Sequence, residues 1–221
     1  MIFFAFPAMQ PIGNTLTGSA ALREEKAALR RRAHAARNAQ PDKERLSRRI
    51  CAGLQQLPAC RQATTVLWYV HCRSEVRTMR ALQEALETRG KCIAVPYCTK
   101  DGQGQRRLGL WRLEQLGELI SGTWGIPEPP RERWQEPGRV IEPQQLDLGV
   151  VPGVAFDRNG GRLGNGAGYY DRLLREVRAD TVLVGVCYAS QLFPEIPMQE
   201  HNVVMDYVVT EQAVYSGIGR T

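Results

Sequence analysis

Apolar positions recur at helical spacing in the first periodic part of the chain and then gather into short unbroken runs. Leu22, Leu29, Ala33 and Ala36 form a thin stripe among arginines and predict a helix over about 21–38. Leu46, Ile50, Leu54 and Leu57 share one face of a second helix over about 42–57, which follows Pro41 and stops at Pro58. Residues 65–70 (TVLWYV) are a continuous apolar run, the pattern of a strand covered on both faces. Val76, Met79, Leu82 and Leu86 return to helical spacing up to Gly90, and residues 92–95 (CIAV) form another strand stopped by Pro96. Strand, helix and strand in that order predict a parallel βαβ unit with a right-handed crossover.

The same alternation continues. A turn at Gly102 and Gly104 leads into a strand at 108–111, a short helix is expected near 113–120, and residues 122–143 are proline-rich and irregular. Residues 146–156 (LDLGVVPGVAF) read as a buried strand followed by a turn at Arg158-Asn159-Gly160-Gly161. A glycine-rich stretch then runs into a helix of about 168–178, and residues 181–188 and 206–210 are two further strands. Without an internal repeat or linker, this is a single α/β domain over 21–212. Residues 1–20 read as a loose extension, since their apolar stretch is broken by Pro7 and has no preceding positive charge, and 213–221 as a short tail. No apolar run approaches the roughly 18 residues of a membrane span.

Composition adds little to that outline: 43% hydrophobic and 24% charged residues in 221 exclude fibrous and wholly disordered chains. Charge adds more. Residues 23–49 hold ten basic and four acidic residues and so carry the whole net charge of +6, the remainder balancing at 19 against 19. A basic helical arm can meet nucleic acid, an anionic membrane or the phosphates of a small ligand, or can simply be a solvated face. The six cysteines form no Cys-x-x-Cys pair, and three histidines lack zinc spacing, so a reducing, cytoplasmic compartment is expected.

The strongest local signal is Arg162-Leu163-Gly164-Asn165-Gly166-Ala167-Gly168-Tyr169-Tyr170-Asp171. Glycine at every second position lets a phosphate approach the backbone, the following helix offers free N–H groups, and Arg162 supplies a charged fork. A mobile hairpin is the competing reading. A turn separates the preceding strand from the glycines, so this is not the dinucleotide fingerprint. Asp171, in the first helical turn, suits either the helix dipole or a magnesium ion bound with phosphates. Asp206, opening a late strand, is a candidate second carboxylate or a plain turn residue. Glu75 follows the first strand, and Val70, Pro96 and Pro152 end the three best strands, where ligands of such sheets bind; Glu75 alone reads equally as a helix-opening acid. Trp124, Tyr169 and Tyr170 are core anchors or flat walls for an aromatic ligand.

Taken together, GVAFDRNGGRLGNGAGYYDRLL resembles the signature of the 5-formyltetrahydrofolate cyclo-ligase family, and the resemblance runs from about Leu22 to Glu211. Lys26-Ala-Ala-Leu-Arg30, Ser74-Glu75-Val76, Trp124-Gly-Ile-Pro-Glu-Pro and the stretch Glu200–Glu211 match further family elements in order. The resemblance implies a three-layer α/β/α, Rossmann-like domain with a mostly parallel sheet and an N-terminal helical pair. It also implies closure of 5-formyltetrahydrofolate to 5,10-methenyltetrahydrofolate with ATP and Mg2+: ATP phosphorylates the formyl oxygen, N10 attacks, and phosphate leaves. By the same resemblance, Lys26, Arg30, Arg162, Leu163, Gly164, Asn165, Gly166, Ala167, Gly168, Tyr169 and Tyr170 hold ATP. Asp171 and Asp206 hold the metal, and Val70, Glu75, Trp124 and Tyr170 hold the folate; Arg162, Asp171 and Tyr170 stand closest to the chemistry.

Four positions depart from the family pattern: Asn165 for a basic or bulky residue, Ala167 for glycine or lysine, Asn202 for aspartate, and Arg77 for an acidic or neutral residue. The alternatives are a paralogue acting on another formylated or amide compound, or a nucleic-acid binder using 23–49. The latter lacks the aromatic residues that single-strand binders interleave with their cations. The expected partners are thus a reduced folate and ATP, with no nucleic acid or membrane, in a monomer or weak dimer.

Overall fold

The computed structural model describes the backbone of residues 15–219, with side chains from Ala20 onward. Helix α1 spans Thr15–Ala39, α2 Lys43–Gln56 and α3 Pro58–Gln62. Residues 15–20 therefore belong to a helix rather than to a loose extension, and residues 1–14 lie outside the described part. Pro58 ends α2 but also opens α3, where its missing N–H is no loss.

The central sheet has eight strands: β1 Thr65–Leu67, β2 Cys92–Lys100, β3 Arg106–Leu113, β4 Val140–Ile141, β5 Leu148–Val151, β6 Val182–Val186, β7 Tyr207–Val209 and β8 Val214–Ser216. Their order is β8-β7-β6-β5-β1-β2-β3-β4. The five from β7 to β2 are parallel, while β8, β3 and β4 each pair antiparallel with the neighbour on their inner side. Helix α4 (Met79–Glu87) makes the predicted crossover between β1 and β2, and α5 (Tyr169–Glu176) follows the glycine stretch. On one face Val66, Ile93, Leu148 and Val150 pack with Ile50 and Leu54 of α2 and Leu82 of α4. On the other, Leu67, Ala94 and Leu110 pack with Leu173 of α5. The expected three layers follow from this alternation.

Several boundaries differ from the sequence pattern for local reasons. Pro96 does not stop β2. The Cys92 N–H and the Ala94 carbonyl both bond toward the β1 side, so by period two Pro96 points its missing N–H the same way, beyond the last paired residue of β1. The run 146–156 breaks at Pro152-Gly153, and Ala155–Phe156 instead forms a hairpin with Arg162–Leu163. A side chain at Gly153 would collide with the Phe156 ring at 2.5 Å. Buried Asp157 organises the hairpin turn by accepting the N–H groups of Asn159, Gly161 and Ile196. Of the helix expected near 113–120 there is only a 3-10 turn, Leu116–Glu118, and the irregular stretch supplies edge strand β4. The tail supplies β8.

Candidate active site

A cavity of about 400 Å³ opens beyond the carboxyl ends of the parallel strands, and Val70, Pro96 and Pro152 line it together as the strand order predicts. One wall is the glycine loop, Gly164 to Gly168. Gly166 (φ +97°) and Gly168 (φ +68°) take left-handed backbone that favours glycine, while Ala167 does not. Gly168 is also the residue from which α5 starts, so the loop delivers the cavity to a helix N-terminus. Trp124, 59% exposed, lies across the mouth with its ring edge-on to Tyr169 at 6.1 Å. Tyr170 fills the floor, and burial pushes its phenol far up, so it stays protonated.

The charged groups sort into two ends. At the first, buried Arg162 donates from Nη2 to Asp171 Oδ1 at 2.8 Å and from Nη1 to the Pro152 carbonyl at 3.3 Å, while its Nε has no hydrogen-bond partner. Arg30 donates from Nε to the Gly164 carbonyl (2.8 Å) and lies against Gly166. Lys26 is buried and bonds Gln199 and Asn202 instead of facing the cavity; burial, followed by nearby Arg30, lowers its pKa. Leu163 points into the core rather than the cavity. At the second end Glu75 accepts the Cys72 N–H at 2.9 Å and faces Arg37. Burial pushes its carboxyl above the ordinary value against the pull of that N–H, Arg37 and Arg73.

Asp206 is a correction. It sits at the amino end of β7, where its carboxylate accepts the Leu183 N–H at 2.7 Å, and it is not among the residues lining the cavity with Asp171. Besides Arg162, it is Asn202 that approaches Asp171: its Nδ2 is 3.5 Å from Oδ1 and its Oδ1 accepts from Lys26. Arg77 turns away from the cavity to pair with Glu44. Asn165 Oδ1 accepts from His34 Nε2 at 3.0 Å.

Among the cavity residues that the sequence pattern did not single out are His34 and Arg37. Lys26, Arg30, His34 and Arg37 follow one another at spacings of four, four and three, which puts them along the inner face of α1. That polar stripe was readable beside the apolar one. Cys98 also lines the cavity, but burial raises its thiol to about 11, so it is no thiolate at neutral pH. Among the described residues no three His, Cys, Asp or Glu side chains gather to hold a metal. The donor set fits an ion bound chiefly by phosphate and water with one carboxylate, Asp171, and does not fit a protein cage.

By fold and site this is a doubly wound α/β protein whose sheet-edge cavity joins a glycine loop and buried cations to an aromatic-walled acid. The model of the 5-formyltetrahydrofolate cyclo-ligase family matches residues 22–211, and the chain belongs to that family of ligases. The 5-formyltetrahydrofolate cyclo-ligase of Mycolicibacterium smegmatis is 35% identical over 146 residues, 66% of this chain and 73% of that one. A probable 5-formyltetrahydrofolate cyclo-ligase of Schizosaccharomyces pombe is 34% identical over 184 residues, 76% and 85% of the two chains. The solved 5,10-methenyltetrahydrofolate synthetase of Aquifex aeolicus superposes with a TM-score of 0.72 at 33% identity, covering 89% of this chain and 95% of that one.

Proposed function

We propose that the protein uses Mg-ATP to convert 5-formyltetrahydrofolate to 5,10-methenyltetrahydrofolate, with release of ADP and phosphate. The observation that carries this reading is the single cavity in which the glycine loop, Arg162 and Asp171 stand at one end and Glu75 at the other. A phosphoryl transfer asks for alignment and charge neutralisation more than for a protein nucleophile, and the cavity offers the former without a reactive thiolate.

The roles follow from position. Arg30, Arg162 and the backbone of Gly164, Asn165, Gly166, Ala167 and Gly168 cradle the triphosphate, with Tyr169 beside them. Lys26 supports this end through Asn202. Asp171, which is bonded by Arg162, would hold the magnesium ion, and the ion would supply charge neutralisation for the phosphates. Glu75 accepts hydrogen bonds from the pterin, and Val70, Trp124 and Tyr170 wall its rings. Holding N10 against the activated carbon then suffices for ring closure. Asn165 brings no cation to the triphosphate, which weakens ATP binding without abolishing it, and its side chain bonds His34 instead.

Arg30 bonds the glycine loop and Arg37 lines the cavity, which gives the basic arm a place at the site that needs neither nucleic acid nor a membrane. Six unpaired cysteines suit a reducing, cytoplasmic setting. Among the described residues no helix is long and apolar enough to cross a membrane. The test is the near-ultraviolet absorbance of the methenyl product from purified protein, 5-formyltetrahydrofolate, ATP and magnesium. A signal that requires both ATP and magnesium is expected. ATP binding without that signal would favour a different formylated substrate.

A further inference from the structure

One cation of the cavity wall has no task in this scheme. Arg37 is only 5% exposed. Its Nε donates to Ser74 Oγ at 3.1 Å, and its Nη2 lies 3.4 Å from His34 Nδ1. Its Nη1 is buried without a hydrogen-bond partner and stands 3.6 Å from Glu75 Oε1. A buried donor left unpaired is costly unless a ligand supplies the acceptor. Two anchored nitrogens fix the plane of the guanidinium and therefore the direction of the third. Glu75, with one oxygen on the Cys72 N–H, offers its acceptors beside that donor on the same wall. The glycine loop does not use Arg37, because His34 stands between it and Asn165.

An acceptor pair next to a fixed donor is the complement of one edge of a reduced pterin, where an amino group, a ring N–H and a carbonyl oxygen stand in a row. We propose that Arg37 is a specificity-determining residue: Nη1 donates to the pterin carbonyl while Glu75 accepts from the amino group and ring N–H. This rests on the folate reading above and adds to it the atom that distinguishes a 4-oxo pterin from a 4-amino one. A site built to hydrogen-bond a given group rejects an analogue lacking it, because its own buried group is then left unpaired.

The experiment is equilibrium binding of 5-formyltetrahydrofolate and of its 4-amino-4-deoxy counterpart, whose amino group puts a donor where the carbonyl acceptor was. Both are titrated into the full chain and into Arg37→Gln and Arg37→Lys. The full chain is expected to prefer the 4-oxo compound by about tenfold or more. Arg37→Gln should lose most of that preference, with Arg37→Lys between them. If Arg37 merely braced the loop, both ligands would weaken together and their ratio would not move. An unchanged ratio in folded Arg37→Gln, or in Arg37→Lys should the glutamine variant not fold, overturns the proposal; so does equal binding of both compounds by the full chain. Failure of the full chain to bind 5-formyltetrahydrofolate at all would overturn the folate reading itself, and this proposal with it.

Discussion

Asp171 and Arg162 illustrate how residue roles change once neighbours are known. Each was expected to serve a ligand by itself, yet they meet at 2.8 Å with Arg162 almost wholly buried. Asp171→Asn keeps an acceptor for the guanidinium but removes its counter-charge. It should cost about 1–3 kcal/mol of stability and lower turnover about 10²-fold or more, the scale seen when a charge-stabilising group is removed. Chemical denaturation and the methenyl absorbance read the two effects, and full turnover would take Asp171 out of the metal and phosphate site. Glu75 gives a pH prediction. Burial raises its folded pKa, so the carboxylate needed by the pterin is lost on acidification at a pH above the usual glutamate value of about 4.3. The folate KM should therefore rise on the acid side above that value. Glu75→Gln should flatten this limb and raise the KM about tenfold throughout, as loss of a charged hydrogen bond requires.

At the scale of elements, α1 and the glycine loop act as one device. Arg30 caps the Gly164 carbonyl and His34 meets Asn165, so the helix sets the loop that takes the phosphates. Arg30→Ala should raise the ATP KM about tenfold, again a charged hydrogen bond, and leave the folate KM within about twofold; equal effects on both would mean that α1 braces the whole cavity. The loop was legible in the sequence because alternating glycine and a following helix are local requirements on the backbone. The inner face of α1 was legible only in part. Its buried positions include Lys26 and Arg37 as well as Leu29 and Ala33, and a search for apolar periodicity passes over buried cations. Asp206 was misplaced for the opposite reason. A carboxylate at a strand start marks no direction in the sequence, and the Leu183 N–H, which comes from the neighbouring strand, claims it.

At the scale of the molecule, the sheet core was legible because β1, β2, β5 and β6 are buried on both faces and read as unbroken apolar runs. Edge strands β4 and β8 were not, since two or three half-exposed residues carry no period. What aligns the parallel strands at their amino ends is equally silent in the pattern: Asp147. Its carboxylate accepts the N–H groups of Thr64 and Thr65 and pairs with Arg178, while its backbone bonds β1 and β6. Partial burial alone would raise its pKa, but the bonds from Thr64, Thr65 and Arg178 outweigh burial and hold it far below the carboxylate range. A depressed folded pKa means stability that is complete above the unfolded value of about 3.9 and is lost as pH falls through the folded one. Asp147→Asn should therefore unfold at lower temperature than the parent at neutral pH, with the gap closing as the pH drops below about 4. Because Asp147 lies at the amino ends of the strands and the cavity at their carboxyl ends, both KM values should stay unchanged. Thermal unfolding across a pH series measures this, and a gap that persisted undiminished in acid would assign the effect to hydrogen-bond geometry rather than to the charge.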